Sequence, residues 1–584
     1  MTLKPVFAVV GLGALCLALG LLAALAGLGQ LADGLQPIGD ALHLWRHWRD
    51  PEVGRWLSRG GLGASLLFIA LGAELIRRLS PSLHGDARFA RPDEIRRAGL
   101  RAKEGLILGE AKGRLLSFGG AEHVLLYAPT RTGKGVGVVI PNLLSWPRSL
   151  VVLDIKRENW AASAGWRARC GQSTFLFDPL DPEGATARFN PLSHIDRTDP
   201  IATVDDLQKI ATLLFPTPDR ADPFWAEAAR TAFIGVAGYV AQTAHLPLTL
   251  GEVFRQLTDG DPRGRLMAAI ADRRLVDAPL TRACENALTD FCAASENTFQ
   301  SVRQTLTSRM GLWVNPRVDW ATSASDFDLA DLACGHTSLY LAVSPDNLAR
   351  VAPLYSLLLQ QVVDQAARRL PRPGAAPHLL IVLDEFARLG PAPAIAEGFA
   401  YLAGYGVRLL AVLQSPAQLR AQYGQDLAED IVANCGCEVV FAPKDVKVAQ
   451  ALSERLGYRG QTARSTSRPA GLSAGRRSIS LSEQRRALLL PQELLGMADD
   501  ALLVLRAGTP PVRGRKLRYY KEAVFQRRVL APPPLSPATD APKAAPPPSD
   551  LTEHVARWAE AQAGAARLSA ELGLGPPADA KGAR

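Results

Sequence analysis

Residues 127–141 read YAPTRTGKGVGVVIP. An apolar run, HVLLYA (123–128), precedes this stretch, and a helix-compatible segment follows it. Gly133 and Lys134 stand where a phosphate-binding loop places its Gly-Lys pair. In such a loop, consecutive backbone N–H groups at a helix N-terminus cradle phosphate oxygens, and the Lys ammonium reaches the β- and γ-phosphates. The expected cradle is Thr130, Arg131, Thr132, Gly133, Lys134, Gly135 and Val136. Two positions depart from G-x-x-x-x-G-K-[ST]. Ala128 replaces the first Gly, and Gly135 replaces the hydroxyl residue that would hold Mg²⁺. An incidental Gly-rich turn is the alternative, and the strand–loop–helix context weighs against it.

Further along, HLLIVLDEFARLG (378–390) runs an apolar strand into Asp384 and Glu385. A carboxylate pair there, downstream of a phosphate loop, is the Walker B arrangement. Asp384 would hold the Mg²⁺ shell and Glu385 would polarise the attacking water. Without the loop, a solvated acidic strand end would explain the pair as well. LLAVLQSPAQL (409–419) puts Gln414 at the end of the next strand. A carboxamide at that place can sense a γ-phosphate or a water, although a structural Gln fits equally. VVLDIKREN (151–159) spaces Asp154, Lys156 and Glu158 by two, along one side of a strand end. A surface ion-pair ladder is the plainer reading of those three.

The rest of the chain fits an α/β architecture. Apolar runs at 149–155, 173–179, 337–343, 378–384, 407–414, 437–443 and 501–507 read as strands, several apolar on both faces. That is the pattern of parallel strands buried between helix layers. Residues 200–310 hold no convincing strand, and WAEAARTAFIGVAGYVA (225–241) repeats its apolar residues at three and four. This predicts an all-helical insertion within the α/β domain. Residues 459–486 contain seven Arg and one acid among Ser, Gly and Thr, which reads as a mobile loop and not an element. Arg464, Arg468, Arg476 and Arg477 are its candidate contacts to a phosphate backbone, against the alternative of a solvated connector. Residues 531–548 read as a Pro-rich tether, and 550–572 as a short amphipathic helix.

The length of 584 residues suggests several units, and 47% hydrophobic against 21% charged residues excludes global disorder. The net charge of +9 is a weak pointer to nucleic acid or lipid. Seven cysteines in so long a chain make no disulfide framework, and Cys435 and Cys437 form a lone C-x-C that does not suit zinc. From Pro5 to Ala32 there is no charged residue, enough to cross a bilayer core of roughly 30 Å. A second apolar segment, Gly60 to Ile76, ends near Glu74. A cleaved signal peptide with Ala24-Leu25-Ala26 as its site is the weaker reading, because the run is long and the basic n-region is slight. Eight Lys and Arg in 77–103 outnumber Arg46, Arg49, Arg55 and Arg59 between the segments. The N-terminus and everything after Arg77 are therefore expected in the cytoplasm.

Taken together, these segments resemble the coupling proteins of conjugation and type IV secretion, the TraG-type family. The resemblance covers most of residues 60–520. It rests on HGDARFA (84–90), APTRTGKGVG with its Gly in the Ser/Thr place, LDIKREN, FDP (177–179) and FNPL (189–192). DPFWAEAAR (222–230), LDEFARLG, AGYGVRLLAVLQSPAQL (403–419) and the Asn-Cys before a strand near Asn434 extend it. The resemblance implies a RecA-like P-loop ATPase domain with an inserted all-α domain, preceded by two transmembrane helices. It also implies ATP and Mg²⁺ as ligands and a homo-hexamer at the bacterial inner membrane. The implied partners are a relaxase on single-stranded DNA, or protein effectors, and the components of a type IV secretion channel. The expected division is 1–76 two spans, 77–199 first part of the nucleotide domain, 200–310 insertion, 311–530 second part, and 531–584 tether and tail. The family's arginine finger would fall at Ala403, leaving Arg388 and Arg408 as nearby candidates. The competing readings are a docking receptor that does not hydrolyse ATP and a septal double-stranded DNA translocase. The latter would want a long linker and a winged-helix tail. Relaxase chemistry lacks its His-hydrophobe-His motif, and GTP specificity lacks N-K-x-D.

Overall fold

A computed structural model describes residues 4–28, 37–79, 83–217, 222–372, 374–390, 392–467 and 478–535. The chain forms two units. The larger comprises Phe89–Ala451 and Pro491–Arg584, and the smaller Met1–Arg88 and Leu452–Leu490.

The larger unit is built on one eleven-stranded sheet. Its strands are β1 (Leu106–Ala111), β2 (Arg114–Phe118), β3 (His123–Tyr127), β4 (Ser149–Ile155), β5 (Ser173–Phe177), β6 (Thr337–Val343), β7 (Leu379–Leu383), β8 (Val407–Leu413) and β9 (Cys435–Phe441). After the smaller unit's hairpin, β10 (Tyr458–Ser467) and β11 (Ser478–Ala487), come β12 (Ala501–Arg506) and β13 (Thr509–Arg515). The order across the sheet is β2-β1-β13-β12-β9-β3-β8-β7-β4-β6-β5. From β9 to β5 all neighbours are parallel, and β12, β13, β1 and β2 extend the sheet antiparallel. β3, β6, β7 and β8 are buried along their whole length. That explains why their sequences are apolar without alternation.

Between β5 and β6 the described chain is helix and turn only, from Pro200–Leu214 to the 3₁₀ turn Leu329–Cys334. The helical stretch thus runs beyond residue 310. The helix Pro223–Ala241 is its centre, packed on Pro200–Leu214, Arg282–Ala293 and Glu296–Arg309. Small residues let these backbones approach: a Cβ on Gly235 would lie 2.9 Å from Leu288 N. Asp199, Asp222, Asp261 and Ser295 each cap a helix start, accepting from backbone N–H groups of the first turn.

The first residues of the expected tether, 531–535, lie against the larger unit. Leu535 packs on the main core, and a Cβ on Gly165 would collide with the Leu530 and Ala531 carbonyls. The helix expected at 550–572 lies outside the described residues.

Asn142 ties the helix after the phosphate loop to β1. Its buried amide donates to Ile107 O and Val138 O at 2.8 Å each and accepts from Ile107 N at 2.7 Å. Asn142→Leu removes these partners and leaves the Ile107 N–H and C=O unsatisfied inside the core. A loss of about 3 kcal/mol is expected, read as a lower denaturant midpoint. An unchanged midpoint would show that Asn142 holds nothing in place.

In the smaller unit the two apolar segments are helical, Lys4–Gly27 and Pro51–Leu79. They pack through small residues, and a Cβ on Gly20 would lie 2.7 Å from Gly60 O. The expected spans are not shown: among the described residues no helix is long and apolar enough to cross a membrane. The second helix starts at Pro51, before the apolar segment, so Arg55 and Arg59 dilute its first turns. In the first, described side chains begin only at Gly11.

Within the basic segment, residues 459–467 and 478–486 are not a loop, contrary to their composition. They belong to the antiparallel pair β10–β11, in register from Tyr458↔Ala487 to Ser467↔Ser478. Alternating Thr, Ser and Ile give β-competent strands despite the many Arg. Arg485 lies 3.6 Å over the Tyr458 ring, and Asp86 bridges Arg459 on the outer edge. Arg464 is exposed on β10, while Arg468, Arg476 and Arg477 lie outside the described residues.

Candidate nucleotide site

β3 is the central strand of the eleven, with β8 on one side and β9 on the other, both parallel to it. The loop after β3 leaves at the carboxyl ends of these strands, where open α/β sheets bind ligands. Ala128 N–H donates to Leu413 O at 2.7 Å, so the loop starts locked to β8. Thr132 then turns back on Pro129, its Oγ1 2.6 Å from that carbonyl. Arg131 (φ 63°) and Gly133 (φ 81°) are both left-handed. This alternation of backbone conformations makes an anion-binding concavity. The helix that follows opens as a π-turn, Gly135–Val139.

Lys134 and the two carboxylates meet. Lys134 Nζ lies 2.8 Å from Asp384 Oδ1 and 3.0 Å from Glu385 Oε1. All three side chains are about four-fifths buried. Glu385 sits in a left-handed backbone (φ 68°), a strained conformation for a non-Gly residue. Among the described residues Asp384 Oδ1 and Glu385 Oε2 accept no hydrogen bond. Their only close partners are ion-pair contacts, to Lys134 and, at 2.8 Å, to Arg388 Nε. Open carboxylate lone pairs beside a phosphate cradle suit Mg²⁺, a hard cation that prefers oxygen ligands. Gly135 adds no hydroxyl, and a Cβ there would meet nothing within 4 Å.

Gln414 follows β8, which lies physically between β3 and β7, next to both the loop and the carboxylates in the sheet order. Its backbone N–H donates to Gln418 Oε1 at 2.9 Å.

Asp154 is no member of a surface ladder, because it is fully buried at the end of β4. It accepts from Asn159 N and Trp160 N at 3.1 and 2.7 Å, starting the helix Glu158–Arg169. Burial pushes its carboxyl up to about 6, the two N–H bonds opposing the rise and nearby Asp384 adding to it. Arg408 is also buried, 5.7 Å over the Phe118 ring, and cannot be offered to a neighbour as a finger. Its nearness in sequence to Ala403 put it among the candidates, but its side chain points into the core. Arg388 is half-exposed but engaged with Glu385.

Two lysines with no motif around them also reach the loop. Lys444, just after β9, donates to Thr130 O at 3.0 Å, and Lys516, just after β13, donates to Thr132 O at 3.0 Å.

Residues 88–540 match the family described as Type IV secretory system Conjugative DNA transfer. The chain belongs to this conjugative DNA-transfer family. This coupling-family chain is 31% identical to a conjugal transfer protein TraG of Escherichia coli, over 84% of its own length and 86% of that protein's. It is 32% identical to a protein VirD4 of Rhizobium rhizogenes, over 80% of its length and 70% of that protein's. Among solved structures, the plasmid coupling protein TrwB in complex with ADP and Mg²⁺ aligns with 17% identity and a TM-score of 0.54. That alignment covers 80% of this chain and 99% of that one. The likeness extends the family assignment to the fold of the coupling proteins, an α/β nucleotide-binding architecture on a large parallel sheet.

Proposed function

We propose that this coupling protein is a P-loop ATPase of the bacterial inner membrane. On this reading it recruits a relaxase–single-stranded DNA complex, or a protein effector, to a type IV secretion channel and uses ATP to drive transfer. The observation that carries the reading is the meeting of Lys134 with Asp384 and Glu385 at the carboxyl ends of β3 and β7. In this state Lys134 is ion-paired with both carboxylates, and Arg388 with Glu385. With ATP as substrate, its ammonium turns to the β- and γ-phosphates, and the N–H groups from Thr130 to Val136 cradle them. Asp384 is the proposed Mg²⁺ ligand, and the cation would screen phosphate charge. Glu385 takes the proton of the attacking water, and Gln414 orients that water from β8.

The TrwB complexes with ADP and Mg²⁺ and with a non-hydrolysable ATP analogue support nucleotide and Mg²⁺ binding by relatives. Membrane anchoring is supported by the uncharged run Pro5–Ala32 and by exposed Trp45 and Trp48 beside Arg46 and Arg49, a composition suited to the headgroup level. The homo-hexamer, the cytoplasmic placement of the bulk of the chain and the division into two spans, a nucleotide domain, a helical insertion and a tail are parts of the same proposal. A docking receptor without hydrolysis is the second reading, favoured by Gly135 and by a buried Arg408.

DNA is proposed to meet Arg464, Arg468, Arg476 and Arg477. Binding is then sequence-independent and falls steeply with salt. Replacing all four with Ala should flatten the salt slope by about 0.7 for each phosphate no longer neutralised. Fluorescence anisotropy of a labelled oligonucleotide at several salt concentrations checks this. Equal slopes would move the DNA surface elsewhere. For the function as a whole, deleting the chain from a donor strain should stop transfer while the channel still assembles. Undiminished transfer would sink the coupling role.

A further inference from the structure

Lys444 and Lys516 grip alternate carbonyls of the phosphate loop. Lys444 Nζ lies 3.0 Å from Thr130 O, and Lys516 Nζ lies 3.0 Å from Thr132 O. A trans peptide is planar, so its C=O and the N–H of the next residue point in opposite directions. An ammonium holding the Thr130 carbonyl therefore aims the Arg131 N–H to the opposite face. The hold on Thr132 does the same for Gly133. These are the two residues with left-handed backbones, at φ 63° and 81°. Such a backbone is costly at Arg131 and needs something outside the loop to fix it.

The two lysines come from the β9 side of β3, and the carboxylates from the β8 and β7 side. Lys516 is held firmly. Its ammonium sits 4.1 Å over the Phe441 ring, and its backbone N–H donates to Asp500 O at 2.6 Å. The segment carrying it runs along the first turn after the loop. A Cβ on Gly137 would lie 3.4 Å from Leu517 O and 3.6 Å from Lys516 Cβ. Burial lowers the Lys516 pKa, with Asp499 and Asp500 opposing the fall.

We infer that Lys444 and Lys516 are positioning residues that pre-orient the phosphate loop, turning the Arg131 and Gly133 N–H groups toward a bound di- or triphosphate. They act through the loop's carbonyls and do not touch the phosphates. The inference rests on the reading of this site as a nucleotide site. It goes beyond that reading by assigning two lysines outside any loop motif. Because the N–H groups they orient serve ADP and ATP alike, their loss should weaken both equally.

The test uses the full chain in lipid nanodiscs and fluorescent ATP and ADP analogues. Lys516→Met and Lys444→Met should each weaken both nucleotides by about tenfold, the loss of one charge-assisted hydrogen bond. Lys516→Gln keeps an N–H donor and should recover most of the affinity. The unliganded melting temperature should stay at the parent value in all three. Parent-like binding by both Met variants, while Lys134→Ala binds nothing, overturns the inference and leaves the nucleotide site standing. A loss confined to ATP overturns it as well, since that would place the ammonium on the γ-phosphate. So does a lowered unliganded melting temperature that Gln does not restore. If the parent binds neither analogue, the nucleotide reading itself falls.

Discussion

Lys134→Ala is expected to abolish nucleotide turnover while the protein stays folded. The ammonium is the one cation within 3 Å of both Asp384 and Glu385 among the described residues, and it opens the helix after the phosphate loop. Removing it leaves Asp384 without its counter-charge and Glu385 with Arg388 alone, where polyphosphate must bind. Nucleotide affinity falls for that reason, and transition-state charge on the γ-phosphoryl loses its stabiliser. Loss of a single such group costs roughly 100- to 1,000-fold in rate. The fold should survive, because Lys134 contributes nothing apolar to the core that β3, β7 and β8 build. Phosphate release and a thermal melt, run together on parent and variant, check both halves. Normal release by the variant would remove the phosphate-loop assignment.

Glu385→Gln is expected to separate binding from hydrolysis. Lys134 and Asp384 remain, so ATP should bind with near-parent affinity. The carboxamide cannot take a proton from water, and turnover should fall by about 100- to 10,000-fold. The change also weakens the ion pair to Arg388, whose guanidinium is half-exposed. A filter-binding measurement after incubation should find ATP, not ADP, on the variant. If the variant hydrolyses like the parent, Glu385 is not the base.

Both predictions concern residues that the sequence makes visible, for a physical reason. A parallel strand buried on both faces must be a short apolar run, so β3, β4, β6, β7 and β8 stand out. The residues proposed for the chemistry follow the ends of those runs: Lys134 after β3, Asp384 after β7 and Gln414 after β8. The antiparallel edge was harder to see. β2 and β13 carry Arg114, Arg513 and Arg515 and are only partly covered, and β1, although buried, is interrupted by Gly109 and Glu110, so their runs break up. The β10–β11 hairpin was hidden by its Ser- and Arg-rich composition, because backbone pairing leaves no apolar signature. Asp154 and Arg408 misled in the same way: a charged residue reads as exposed, and both are buried within the folded sheet. Lys444 and Lys516 gave no signal, because they follow β9 and β13, which only the folded sheet brings to the same side of β3.

The central claim is that the Lys134–Asp384–Glu385 cluster hydrolyses ATP in the service of transfer. The most direct measurement is steady-state phosphate release by the full chain in a lipid bilayer, with and without single-stranded DNA, set beside Glu385→Gln. Release should rise when DNA is added and disappear in the variant. A parent that binds ATP yet releases no more phosphate than Glu385→Gln, with DNA or without, would contradict it and leave a docking receptor in place of a motor.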